Sequence, residues 1–263
     1  MSDEIILELR DLSISFAGKQ VLDRINLKVK KGQIIGYIGP NGAGKSTTVK
    51  IILGLIEQYQ GDVIVFGQNI RETSVQYKKR IGYVPETGEI YQDLTALEYV
   101  TFVGQMYEMK AELIEQKLTD LLELFEMKHV LHSRIETFSK GMKQKLLIIA
   151  SLIHDPDLIF FDEPLSGLDA NSVMIIKELM ARLARSGKTI FYSSHIMDVV
   201  EKISDRILLL NNGTIVADGS FEELRANREG SLEQIFNELT GFDRHEQIAD
   251  EIVRLIHGAD HDE

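Results

Sequence analysis

The chain has 263 residues, 44% of them hydrophobic, and carries a formal net charge of −12. That length suits one domain with an appended subdomain or tail and supports a sizeable core. The acidity disfavours a nucleic-acid partner, whose phosphates call for clustered Lys and Arg, and the absence of Cys excludes a disulfide framework and a thiolate metal site and fits a reducing cytosol.

The first ten residues, MSDEIILELR, are acidic and hold no long apolar stretch, so they do not read as a secretory signal. Leu12, Ile14 and Phe16 alternate with polar residues, as do Ile25, Leu27 and Val29, which is strand periodicity. The stretch 17–20 between them reads as a hairpin turn. Residues 34–38 are a short apolar run, like a buried strand of a parallel sheet. A Gly-rich loop follows, then a helix over about 45–55. Residues 63–66 and 81–84 are further strand candidates. From 95 to 125 the period turns helical, with Leu113, Ile114, Leu118, Leu121, Leu122 and Phe125 on one face. Helices continue over about 141–154. Residues 158–162 and 189–193 are buried-strand candidates separated by a helix over 172–184. Asn212-Gly213, between 207–210 and 214–217, is a strong hairpin signal. Ser231 with Gln234 makes a capping box before Ile235, Phe236 and Leu239. A last amphipathic helix carries Ile248, Ile252, Leu255 and Ile256. The longest apolar runs, 146–150 and 158–161, fall far short of a membrane span, so any membrane role is expected to run through a partner.

Gly39-Pro40-Asn41-Gly42-Ala43-Gly44-Lys45-Ser46-Thr47 matches G-x-x-x-x-G-K-[ST] between an apolar strand and a helix, the setting a phosphate loop needs. Glycines let backbone N–H groups wrap a phosphate without Cβ clashes, and the helix that follows points its positive end at the anion. Lys45 supplies a compact charge, and the Ser46 hydroxyl suits Mg2+. Further on, an apolar strand ends in Asp162-Glu163-Pro164. Asp162 suits Mg2+, directly or through water, and Glu163 suits polarising or deprotonating an attacking water. Together the two motifs mean a P-loop nucleotidase, without saying which.

The segment Phe138-Ser139-Lys140-Gly141-Met142-Lys143-Gln144-Lys145 lies one helix before the paired carboxylates. With Ser166-Gly167-Leu168-Asp169 and His195, it resembles the ABC-transporter ATPase family. The resemblance runs from about Ile5 to Leu239, with the motifs in the family's order. It implies a parallel α/β P-loop core with an N-terminal antiparallel β subdomain and a helical insertion near 87–150. The domain boundary implied is 1–240 for the ATPase domain and 241–263 for a helical, acidic tail. It implies ATP as substrate with Mg2+, separate transmembrane permease subunits as partners, and a place in the cytoplasm on the inner face of the membrane. Two such chains, a homodimer or a pair of similar subunits, sandwich two nucleotides head to tail. Ser139 and Gly141 would then reach the γ-phosphate held by the other copy, and Asp169 would contact that copy. His195 would touch the γ-phosphate and help position Glu163. Phe16 stands where an aromatic stacks on adenine, although strand alternation alone also accounts for it.

Three positions depart from the family's pattern. Glu86 replaces a Gln after the strand ending at Val84-Pro85; it still offers an oxygen to Mg2+ or water but adds charge, and a solvated loop acid is the alternative. Lys140 replaces a Gly. Met142 replaces a Gln and makes no Gln-type hydrogen bond to ribose. The changes at Glu86, Lys140 and Met142 resemble the branch serving drug, antibiotic and peptide exporters. A soluble ABC ATPase acting on ribosomes or DNA is a rival, but such proteins normally carry two cassettes or a basic patch. A binding module without turnover is a second rival, opposed by Glu163 and His195. Residues 91–102 lie where the family receives its membrane partner, and packing within the helical region explains their aromatics equally well. His245, His257 and His261 lie among carboxylates in the tail, which reads as a solvated acidic end rather than a metal site.

Overall fold

The computed structural model describes residues 4–72, 75–86, 90–226, 230–241 and 245–257. His261 lies outside them. Two long strands open the chain, β1 (Ile5–Phe16) and β2 (Lys19–Lys30). Then come β3 (Ile34–Ile38), α1 (Lys45–Ile52), β4 (Gln60–Val65), β5 (Gln68–Asn69) and β6 (Ile81–Val84). Three helices follow, α2 (Ala96–Met106), α3 (Ala111–Leu124) and α4 (Lys140–Leu152). The remainder alternates β7 (Leu158–Asp162), α5 (Ala170–Arg185), β8 (Thr189–Ser193) and α6 (Met197–Ile203). It closes with β9 (Arg206–Asn211), β10 (Thr214–Gly219), α7 (Phe221–Arg225), α8 (Leu232–Thr240) and α9 (His245–His257).

Two sheets result. The antiparallel one has the order β2-β1-β4-β5, and the larger one β10-β9-β3-β8-β7-β6. In the larger sheet only the β9–β10 pair is antiparallel. The two hairpins turn through Ala17-Gly18 (φ 48°, 81°) and Asn212-Gly213 (φ 46°, 77°), both residues left-handed in each. That is the conformation whose twist matches two-residue hairpins. Successive residues of the buried strands feed two separate cores. Ile34, Ile38, Phe161 and Tyr192 pack with Val100, Ile114, Leu118, Ile148 and Ile176 of the helices. Ile35, Tyr37, Phe160 and Phe191 pack with Ile51 of α1 and with Leu7, Leu9 and Val63 of the antiparallel sheet. The parallel strands therefore end at one edge, where their loops gather.

Some expected elements differ in detail. The helical stretch 95–125 is two helices, broken where Glu108 turns left-handed at φ 62°. Leu113 is not on the buried face of α3; it is 45% exposed, while Ile114, Leu118 and Leu122 are buried. The helix after the phosphate loop stops at Ile52, because Gly54 (φ 64°) reverses the chain. β4 begins earlier than expected and ends at Val65, since Phe66 is left-handed at φ 52°. The Ser231–Gln234 capping box is present. Ile248, Ile252, Leu255 and Ile256 lie on α9 as expected, and all four are exposed.

Candidate active site

The loop after β3 leads directly into α1. Gly44 takes φ 110°, and a Cβ there would lie 2.5 Å from Leu22 and 2.9 Å from the Val21 carbonyl, so the position admits only glycine. No side chain caps α1, which leaves its first-turn N–H groups turned toward the loop, the arrangement that favours an anion. Gly213 of the β9–β10 hairpin donates its N–H to the Ala43 carbonyl (3.2 Å) and buttresses the loop from behind. Lys45 Nζ donates to the carbonyls of Gly39 (2.6 Å) and Pro40 (3.3 Å). Burial lowers the Lys45 pKa, and Asp162, Glu163 and Glu86 oppose that shift. Residues 41–47, Glu86, Asp162, Glu163 and His195 line one open cleft of about 550 Å³.

Asp162 ends β7 opposite Ser193 of β8, whose hydroxyl donates to its Oδ1. Glu163 is left-handed (φ 50°), and its N–H donates to the Ser193 carbonyl (3.1 Å). A strained conformation held by flanking strands is a recurrent feature of functional positions. Ser194 Oγ donates to Glu163 Oε2 at 3.3 Å, and His195 Nε2 lies 3.6 Å from Oε1. Burial raises the Glu163 pKa, and His195 and Ser194 pull it back in part. A half-buried carboxylate with a raised pKa beside an imidazole is suited to taking a proton.

Other expected site residues stand apart. Phe16 is 47% exposed at the end of β1, and its register partner Lys19 lines the cleft while Phe16 does not. Ser139 caps α4, its Oγ accepting from the Met142 N–H at 3.2 Å. Asp169 caps α5, accepting from Ser172 N–H at 2.9 Å and from the Ser172 hydroxyl, and these bonds hold its pKa well below the carboxylate range. Ser139, Gly141 and Asp169 are absent from the cleft lining. Residues not singled out from sequence also contribute: Lys19, Gln20 and Val21 wall the cleft, and Ser193 and Ser194 hold the two carboxylates. A signal for the serines existed, since two hydroxyls precede His195 at the end of a buried strand. Among the described residues no cluster of three His, Cys, Asp or Glu is placed to hold a metal ion. No described helix is long and apolar enough to cross a membrane.

A phosphate loop at the end of a parallel strand, facing adjacent carboxylates, defines a P-loop nucleoside triphosphatase. The family pattern described as ABC transporter matches residues 22–166. The chain is 37% identical over 238 residues to the ABC transporter ATP-binding protein NatA of Bacillus subtilis (strain 168), covering 88% of this chain and 96% of that protein. It is 36% identical over 219 residues to the linearmycin resistance ATP-binding protein LnrL of the same organism, covering 83% and 70%. A solved ATP binding subunit of an ABC transporter superposes with a TM-score of 0.83 at 34% identity, over 89% of this chain and 99% of that one. The chain belongs to the ABC transporter family as an ATP-binding, ATP-hydrolysing subunit.

Proposed function

We propose that this subunit drives export through separate membrane permease subunits. ATP closes two copies head to tail, and hydrolysis releases them. The observation that carries this reading is the separation of two half-sites on one chain. The cleft holds the phosphate loop, Asp162, Glu163 and His195, whereas Ser139 and Gly141 stand outside it at the N-terminus of α4. Each half lacks what the other offers, so a second copy completes both.

Within the cleft, the loop amides and Lys45 bind the phosphates. Glu163 accepts a proton from the water that attacks the γ-phosphorus as the bond to the ADP oxygen breaks. His195 orients Glu163 and contacts the γ-phosphate. Phe16, at the cleft rim, stacks on adenine, and Asp169 adjoins the second copy. The donor set fits Mg2+: the Ser46 hydroxyl, Asp162 and Glu86 are hard oxygen donors on one cleft, too few to complete a coordination shell and so suited to an ion shared with phosphates. When bound, Mg2+ neutralises phosphate charge.

Tyr91 (64% exposed) and Phe102 (46%) meet edge to face, with ring centroids 6.0 Å apart. This exposed pair supports the segment after Glu86 as the permease docking surface. The subunit would then sit in the cytoplasm, peripheral to the inner face of the membrane, with 1–240 as its working domain and 241–263 as a tail. The similarity to a resistance protein supports outward transport.

The test is Glu163→Gln, which keeps the side-chain shape but cannot take a proton. Turnover should fall by about 10²–10⁴-fold while ATP binding survives, and sedimentation should show dimers with ATP and monomers without it. A monomer under both conditions would mean that the permease or another ATPase subunit must complete the site.

A further inference from the structure

We propose that Lys140 is a positioning residue that pins the loop following Glu163 onto the N-terminus of α4. Its Nζ donates to Ser166 Oγ at 3.0 Å. Its methylene stem lies along Gly167, where a Cβ would sit 2.9 Å from Lys140 Cδ and 3.0 Å from Cγ. Gly167 is left-handed (φ 74°), so both the turn and the lysine crossing it require glycine there. The helix approaches just as closely, since a Cβ on Gly141 would lie 2.8 Å from the Gly167 carbonyl.

The loop is short and internally tied. Ser166 N–H donates to the Glu163 carbonyl (3.1 Å), and Leu168 N–H to the Leu165 carbonyl (3.3 Å). At its far end Asp169 lies 3.5 Å from Lys145 Nζ, one and a half turns further along α4. Lysines of one helix therefore hold both ends of the stretch 166–169. A cation in the first turn of a helix opposes the helix dipole, and no acidic residue offsets it there. The contacts to Ser166 and Gly167 give that placement a reason. Glu163 begins the loop and Ser139 begins the helix. The lysine thus sets the spacing between the two half-sites of one chain, a task the small residue usual at this position leaves to the backbone alone. This role deepens the proposed function and rests on its assignment of the half-sites.

Hydrogen exchange of the full chain, read on the amides of 165–170, tests the pin directly. Lys140→Met keeps the stem and removes the ammonium; exchange of the loop should quicken by about three- to tenfold, the scale of one lost hydrogen bond. Lys140→Arg should restore slow exchange. ATP affinity should stay at the wild-type value, because Lys140 is outside the cleft and exposed, and the thermal midpoint should fall by no more than about 2–4 °C, the scale of one lost hydrogen bond. In steady state kcat should fall by a similar factor with KM unchanged. Wild-type exchange in Lys140→Met, or failure of Arg to restore it, would overturn the proposal. Because exchange needs no turnover, absence of hydrolysis in the wild type would count against the proposed function and leave the pin decided on its own.

Discussion

Glu163 combines a left-handed backbone, a half-buried carboxyl and an imidazole neighbour. As a base it works only when ionised, and burial raises its pKa. The acid limb of kcat should therefore lie above the ordinary carboxylate range. His195 lowers that pKa, so His195→Gln should move the limb to higher pH as well as slow turnover; a pH–rate profile with the limb unmoved would separate the two side chains. The linkage has a definite sign. A raised folded pKa means that the contribution of Glu163 to stability is present below its unfolded pKa and is lost as pH rises through the folded one. Glu86 shares the cleft and contributes to the field on Lys45. Replacing it by Gln keeps an oxygen and removes a charge, so hydrolysis should change by about tenfold or less, on the scale of ~1.4 kcal/mol. Glu86→Ala removes the oxygen too. Measured side by side in a reconstituted complex, it should lose transport more than ATP binding; equal, small losses would return Glu86 to the role of a solvated loop acid.

Among the elements, the β9–β10 hairpin matters most to the loop it supports. Gly213 is left-handed, a Cβ there would lie 2.5 Å from the Val21 carbonyl, and its own carbonyl accepts from Asp23 N–H at 2.9 Å. Gly213→Ala should destabilise the protein by about 1–3 kcal/mol and weaken nucleotide binding as well, which chemical denaturation and nucleotide titration would register together. The turn itself was legible in the sequence, because Asn-Gly between apolar runs has few other uses. Buried strands and the phosphate loop were legible for similar reasons: local chemistry restricts them. The break between α2 and α3 was not. Apolar residues continue on both sides of residues 107–110, so the period gives no sign of the reversal at Glu108. Leu113 misled for the same reason, being apolar and nearly in phase with Ile114. In the site, Lys45, Asp162 and Glu163, singled out by motif and spacing, and Glu86, singled out by the resemblance, line one cleft. The contributions of residues 19–21 were not legible, since they reach the cleft only because β2 folds back beside the loop. Asp169, proposed to adjoin a second copy, also caps the N-terminus of α5.

At the scale of the whole molecule, the six-stranded sheet stands between two apolar cores that, among the described residues, share no side chain. Ile34 and Ile38 serve one, while Ile35 and Tyr37 of the same strand serve the other. Motion of the helical region against the antiparallel sheet must therefore pass through the shared strands or through the loops at their ends, among them the one bearing Glu86. The arrangement also governs how the protein comes apart. Melting either core strips one face of strands whose other face is still packed, so neither core has a stable state of its own. Calorimetry should record a single endotherm whose van't Hoff and calorimetric enthalpies agree, despite two sheets and a helical insertion. The exception is α9, whose Ile248, Ile252, Val253, Leu255 and Ile256 are all exposed. Removing residues 242–263 should leave that endotherm in place, and two resolved transitions in the shortened chain would show that the sheet does not bind the cores into one unfolding unit.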